Sequence, residues 1–599
     1  MPQPNTNWFF QPRSHRDGAG REDDSAPGLI SLPAEVLQRH GAQVLDPETA
    51  VAVAGYPTPR STVYRSRTLL VPANLQQEPT IGVINRILGE VGMKLLPTTT
   101  GQETGHADPD IARLLAEVPR PAILTAAEGS RKPVVVDAWV ALQTLRAAAS
   151  PPPKTPDQAG DRIDADRIDI DKADVDRITL EHLLVGSAIT GSPAYGGGGL
   201  TASPGSGTGP ASTDSYLFSG GDTRTPVAVL HDLPARSDLS SGFLARYGRR
   251  PVVAVLDTGV RAQALLDVVA KPGGGYDTDP GNNGDGFIEI DHGIQEAIRI
   301  QGEQAESSGD QPRQVIRHGW DTPVSTDPLI GELGPALGHG TFIAGIVRQV
   351  VPDARVLAIR VMHSDDVVYE GDLLCALSLL ANRIALAEAS DPDRMVDVVS
   401  LSLGYFSESS PDSALNSALW PLIKALLDKG VVVVAAAGNY STSRMFYPAA
   451  FAQQPVPTGD VPLISVGALN PNGSKAVFSD ADHWVTAWAT GGAVVSTFPT
   501  DVNGSRTPEL RMSAHPANPM PPGVSLPNYR EALDPDDYSS GWGVWSGTSF
   551  SAPLLAAQIV RSLLQGPADP GSGLVLEPCG QQATTERALA ALRKMGWPG

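Results

Sequence analysis

The sequence predicts an α/β protein, a mostly parallel sheet with helices on both faces, preceded by a small α+β domain. Two observations carry this reading. From residue 250 onward, short continuous apolar runs at 252–256, 355–361, 396–403, 431–436 and 463–466 alternate with helical stretches at 372–388 and 415–428. Strands that are apolar on both faces require a sheet covered on both sides, which is the parallel-sheet arrangement. Several of these runs also end in polar or glycine-rich turns, and the carboxyl ends of parallel strands are where α/β proteins gather their chemistry.

The N-terminal elements are justified by shorter patterns. Residues 1–65 mix polar, Gly and Pro residues around one amphipathic piece at 32–40 and read as a poorly ordered arm. Residues 66–150 alternate a strand at 69–72, a helix at 81–91, a strand at 94–96, apolar runs at 122–124 and 134–136, and a helix at 137–149. Residues 151–245 read as a linker. It opens on three prolines, repeats Asp-Arg-Ile at 161, 166 and 176, and becomes rich in Gly, Ser, Thr and Pro from 191 to 221. The remaining 246–599 form the main domain, with insertions expected near 270–330 and 500–540.

With 599 residues and 41% apolar content, the chain has room for a large core and an accessory region. The net charge of −21 argues against nucleic acid or an anionic membrane as partner. Cys375 and Cys579 are too few for a disulfide framework and stand in no metal-ligand spacing, so buried free thiols are expected. The first residues carry neither a basic n-region nor an apolar h-region, and no apolar run reaches membrane-spanning length, which makes the cytoplasm the expected location.

Four short motifs stand out. Asp257-Thr258-Gly259 follows the apolar run 252–256; an aspartic-protease dyad would need a second copy, which the chain lacks. His339 opens a helical pattern in which Phe342, Ile343, Ile346, Val347 and Val350 recur at helical spacing, so its imidazole is held on a packed first turn. Asn439 closes the run 431–436 through Ala437 and Gly438; its amide can donate to an oxyanion or stabilise the turn itself. Ser549, in Gly547-Thr548-Ser549, precedes the apolar run 554–564, which places a hydroxyl at a helix N-terminus provided that Pro553 lies in the first helical turn.

In that order, Asp257, His339, Asn439 and Ser549 resemble the motifs of the subtilisin-like serine proteases, the subtilases, over about residues 248–567. The resemblance implies a serine endopeptidase acting on proteins or peptides through an acyl-enzyme. Ser549 is then the nucleophile, His339 the base, Asp257 the residue that fixes the imidazole, and Asn439 an oxyanion donor. It further implies that Ser402, Leu403, Gly404, Ala437 and Gly438 bind substrate, the first three by pairing with a substrate strand, and that Arg444 beside Tyr447-Pro448 biases a pocket toward acidic side chains. No cofactor is required. The acidic, Gly-rich segment 276–286 raises a Ca²⁺ hypothesis, but its spacing is not that of an EF-hand, and a solvated turn is preferred. The domain at 66–150 has the flavour of an inhibitory propeptide, with a partner-binding or regulatory domain the competing reading. A non-catalytic scaffold built on the same fold is the alternative function. Sedolisins, with Glu/Asp/Ser, fit His339 and Asn439 less well.

Overall fold

The computed structural model describes residues 7–11, 32–98, 108–128, 134–150, 170–187 and 224–598, the last stretch with breaks at 273, 281–283, 308–311, 324, 328–331, 410–416, 503–510, 514–528, 532–536 and 568–573. The linker at 191–221 and the Asp-Arg-Ile repeats at 161 and 166 lie outside the described residues. So does most of the expected insertion at 500–540.

In chain order, the elements that position the site are β1 (Trp8–Phe10), α1 (Ala34–Arg39), β2 (Ala42–Leu45), β3 (Thr62–Pro72), α2 (Thr80–Gly89), β4 (Met93–Leu96), β5 (Pro119–Ala126), α3 (Ala138–Ala149) and β6 (Thr179–Gly186). They are followed by β7 (Val252–Asp257), β8 (Ile288–Ile290), α4 (His292–Ser307), α5 (His339–Val350), β9 (Arg355–Arg360), β10 (Val367–Tyr369), α6 (Glu370–Ala389), β11 (Val398–Leu401) and β12 (Leu403–Gly404). The last are α7 (Leu419–Asp428), β13 (Val432–Ala436), β14 (Leu463–Leu469), β15 (Ala487–Thr490) and α8 (Thr548–Leu564).

The large sheet has eight strands in the order β1-β15-β14-β13-β11-β7-β9-β8, all parallel except β1, which joins β15 antiparallel at the edge. Its central strands β7, β11 and β13 are buried at every residue, as apolar runs without polar alternation require. This is the α/β class that the sequence predicts.

The second sheet is built on the N-terminal strands β6-β3-β5-β4, with β2 on β3, and is completed by β10 and β12 of the main domain, both paired with β6. Period-2 alternation in β3 explains its two faces. Leu69 and Val71 join the small core under α2 and α3, while Leu70 joins the core of the main domain. The domains therefore share a face rather than merely a linker.

Several expectations are corrected. The segment at 1–65 is not a loose arm throughout: β1 pairs with β15, α1 buries Val36, and β2 buries Leu45. These pieces are too short to build a core of their own and take their partners from tertiary neighbours. The linker at 151–245 contains β6, a strand paired along both edges. Of the two apolar runs, 122–124 lies in β5 while 134–136 forms no regular element, and Val135 is 85% exposed. The stretch near 270–330 supplies the edge strand β8 and helix α4. Pro553 is the sixth residue of α8, beyond the first turn. Proline there cannot donate to the Ser549 carbonyl, and that carbonyl instead accepts from Ser402 Oγ at 2.8 Å. Among the described residues no helix is long and apolar enough to cross a membrane.

Candidate active site

Asp257 ends β7 and His339 begins α5. The buried imidazole takes the carboxylate through Nδ1, at 2.8 and 2.9 Å from the two oxygens. Thr258 N–H donates to Asp257 Oδ1 at 2.8 Å, which fixes the carboxylate. Burial opposes protonation of His339, but the Asp257 carboxylate outweighs it and leaves the imidazole pKa above its usual range. His339 Nε2, the nitrogen turned away from Asp257, has no hydrogen-bond partner among the described residues.

The close approach of β7 and α5 depends on glycine. A Cβ on Gly340 would run into the Gly259 carbonyl, and Gly338, at φ +83°, gives α5 a left-handed entry. Asp321, which motif reading missed, braces this corner by accepting from Gly338 N–H at 2.7 Å and Thr258 Oγ1 at 3.1 Å. Burial raises its carboxyl pKa to about 6.

Asn439 and Ser549 meet across the carboxyl ends of β13 and β11. Thr548 locks the Asn439 side chain, its N–H and its hydroxyl each donating to Asn439 Oδ1 at 2.9 Å. That leaves the amide Nδ2 free to face the cleft, where it donates to the carbonyl oxygen of Ser187 at 2.5 Å. Ser549 N–H donates to the same oxygen at 2.9 Å. Ser549 Oγ donates to the Ser402 carbonyl at 3.3 Å. The ring of Phe550, the next residue of α8, lies 5.4 Å from the His339 imidazole, which sets the start of α8 beside the start of α5.

The stretch ending at Ser187 lies in that cleft as an added strand. Residues Leu183–Val185 pair antiparallel with β10, Leu403 and Gly404 pair with Gly186 and Val185, and Ser187 N–H donates to the Ser402 carbonyl at 2.9 Å. A Cβ on Gly186 would collide with Asp366 Oδ1. Burial raises the Asp366 carboxyl to about 7, with His339 pulling it down and Asp257 pushing it up.

Ser402, Leu403 and Gly404 thus contact an extended segment of the same chain. Ala437 and Gly438 do not hydrogen-bond to it: their N–H groups go to the Val466 carbonyl and to Thr548 Oγ1. Arg444 is corrected, since its guanidinium donates to the carbonyls of Ser61 and Ser407 and covers the Phe406 ring. In the acidic loop, Asp285 pairs with Arg250 and Asp279 accepts from Gly284 N–H. The described residues contain no group of three or more His, Cys, Asp or Glu arranged to hold a metal. Cys375 and Cys579 are unpaired, and burial pushes the Cys375 thiol up to about 12. Sequence reading also missed Ser187. Its only signal was the apolar run at 183–185 after the last Asp-Arg-Ile.

Residues 248–568 match the Subtilase family, peptidase S8. Thermitase of Thermoactinomyces vulgaris is 30% identical over 223 residues, 35% of this chain and 70% of that protein. Subtilisin BL of Lederbergia lenta is 30% identical over 200 residues, 30% of this chain and 64% of its own length. A thermophilic serine proteinase of Bacillus sp. (strain AK1) is 32% identical over 170 residues, covering 26% of this chain and 35% of that protein. The match to subtilisin BL thus spans less than two thirds of that relative. The family match covers more than half of the chain, which belongs to the subtilase family of serine endopeptidases.

Proposed function

We propose that the protein is a serine endopeptidase whose first substrate is its own chain, cut between Ser187 and Ala188. The observation that carries this is the Ser187 carbonyl oxygen, held by two N–H donors beside Ser549, from Asn439 Nδ2 and the Ser549 backbone. Donors aimed at a carbonyl oxygen stabilise the negative charge that develops there when a nucleophile adds.

In this mechanism Ser549 Oγ leaves the Ser402 carbonyl and passes its proton to His339 Nε2 as it attacks the Ser187 carbonyl carbon. Asp257 holds the opposite ring nitrogen and stabilises the imidazolium. The tetrahedral oxyanion stays between Asn439 and the Ser549 N–H. Its collapse breaks the Ser187–Ala188 bond as His339 protonates the departing amine. Water, deprotonated by His339, then releases the Ser187 carboxylate from the ester. After the cut, the N-terminal domain keeps its strand in the cleft and acts as an inhibitor.

Intact-mass measurement of freshly purified chain tests this. The expected products are residues 1–187 and 188–599, with Ser549→Ala remaining uncut. Asn439→Ala is expected to slow the cut about 10²–10³-fold, a range known for subtilisin rather than obtained from this geometry. A chain that stays whole and takes no fluorophosphonate label at Ser549 would overturn the reading.

A further inference from the structure

His182 sits five residues before Ser187, and its imidazole is clamped between two carboxylates of the main domain. Nδ1 lies 2.6 Å from Glu370 Oε2, and Nε2 lies 2.7 Å from Glu408 Oε2. The His182 backbone N–H adds a 3.3 Å contact to Glu370. Tyr405 stacks on the ring, with centroids 4.5 Å apart and planes at 27°. Glu370 is 2% and Glu408 6% exposed, and among the described residues neither forms an ion pair with Lys or Arg.

These groups lie on the same strand track as the bond proposed to be cut. From Leu183 to Ser187 the segment is tied to β10, β12 and Ser402 by backbone pairing, so its register is fixed. Any extended peptide that places its scissile carbonyl where Ser187 lies delivers its sixth residue upstream to Glu370 and Glu408. When the N-terminal segment leaves, the two carboxylates lose the cation that pairs them, and a peptide that takes its place buries them again, which is costly without a partner charge. A neutral side chain leaves that cost standing, and an acidic one adds repulsion. A planar cation restores both hydrogen-bonded pairs and also stacks on Tyr405.

Resting on the peptidase reading, we propose that Glu370, Glu408 and Tyr405 form a specificity subsite that selects substrates carrying a protonated His or Arg at the sixth position before the cut bond. The two glutamates touch substrate far from the reacting atoms and act on binding rather than on the chemical step.

The test uses the self-cleaved protein from which residues 1–187 have dissociated, so that the cleft is open, and four decapeptides. One has the sequence of residues 181–190, Glu-His-Leu-Leu-Val-Gly-Ser-Ala-Ile-Thr, and three replace its His with Arg, Ala or Glu. At pH 6, kcat/KM is expected to be about tenfold higher for His and Arg than for Ala, and lower again for Glu, with the difference in KM. Glu408→Gln is expected to shrink the Arg-to-Glu ratio by about tenfold. Equal kcat/KM for the Arg, Ala and Glu peptides would overturn the subsite and leave the peptidase reading intact. Fluorophosphonate labelling of Ser549 in the same samples reports on that reading separately: no label and no cleavage of any peptide would remove both.

Discussion

At the scale of single residues, the cleft is set by where backbone carbonyls and small side chains fall. Ser402 serves twice, its carbonyl accepting from Ser187 N–H and Ser549 Oγ while its hydroxyl fills the place of the N–H that Pro553 lacks. Ser402→Ala strands the buried Ser549 carbonyl and is expected to cost about 1–3 kcal/mol, read from the urea-unfolding midpoint. An unchanged midpoint would show that another donor reaches that carbonyl. Gly186 is glycine because Asp366 takes the space of a Cβ. Gly186→Ala is therefore expected to slow self-cleavage by at least about tenfold without altering the unfolding midpoint of the main domain, as time-resolved mass measurement would show. Cleavage at the parental rate would mean that Asp366 swings aside freely. The motifs at 257, 339, 439 and 549 were legible because each couples a distinctive side chain to an abrupt change from apolar run to turn or helix. Asp321 and Asp366 were not. A lone Asp in a loop carries no signal until the fold buries it beside the groups it braces.

At the scale of elements, β6 and β1 decide how the N-terminal domain is held. Burial opposes charge on His182, but Glu408 and Glu370 outweigh it and raise the imidazole to about 10, while Glu408 falls to about 2. Arg146 also lowers Glu408, and the Tyr405 ring covers the imidazole. A raised His contributes docking strength fully below its ordinary value of 6.5 and loses it as pH climbs toward 10. A depressed Glu contributes above its ordinary value of 4.5 and loses it as pH falls toward 2. Retention of residues 1–187 on the main domain is thus expected to be greatest between about pH 4.5 and 6.5, and His182→Asn to flatten the profile, as co-elution measured across pH would show. A wild-type profile as flat as the variant's would remove the pair from the account. β1 supplies a second hold, with Trp8–Phe10 closing the edge of the main sheet and Phe10 packing edge-on against Trp597 at 5.0 Å. The double variant Trp8→Ala, Phe10→Ala is expected to release the cut N-terminal fragment at least about tenfold faster in size-exclusion or surface-capture measurements. Both strands escaped sequence reading. Three apolar residues amid polar chain, or a run placed just after charged repeats, become strands only when a sheet edge offers them partners.

At the scale of the whole molecule, the two domains share apolar and ionic contacts across one face. Leu70, Leu183 and Leu184 belong to the same core as α6, and His40 reaches Asp365 at 2.9 Å and the Tyr369 hydroxyl at 2.7 Å. Arg39 meets the same Asp365 at 2.6 Å, and Arg313 pairs with Asp372 at 3.0 Å where α6 begins. Glu181 on β6 lies 3.7 Å from both Arg65 and Arg313, so that buried group is tied across the boundary by longer contacts. The sequence alone determined the α/β class and the subtilase resemblance, because buried strand runs and helix-entry motifs are local patterns whose physics acts within ten residues. Only the tertiary structure decided what fills the cleft. The carbonyl of Ser187 lies more than 200 positions from the donors that hold it, and no local pattern ties a strand end to a pocket that distant elements must first assemble.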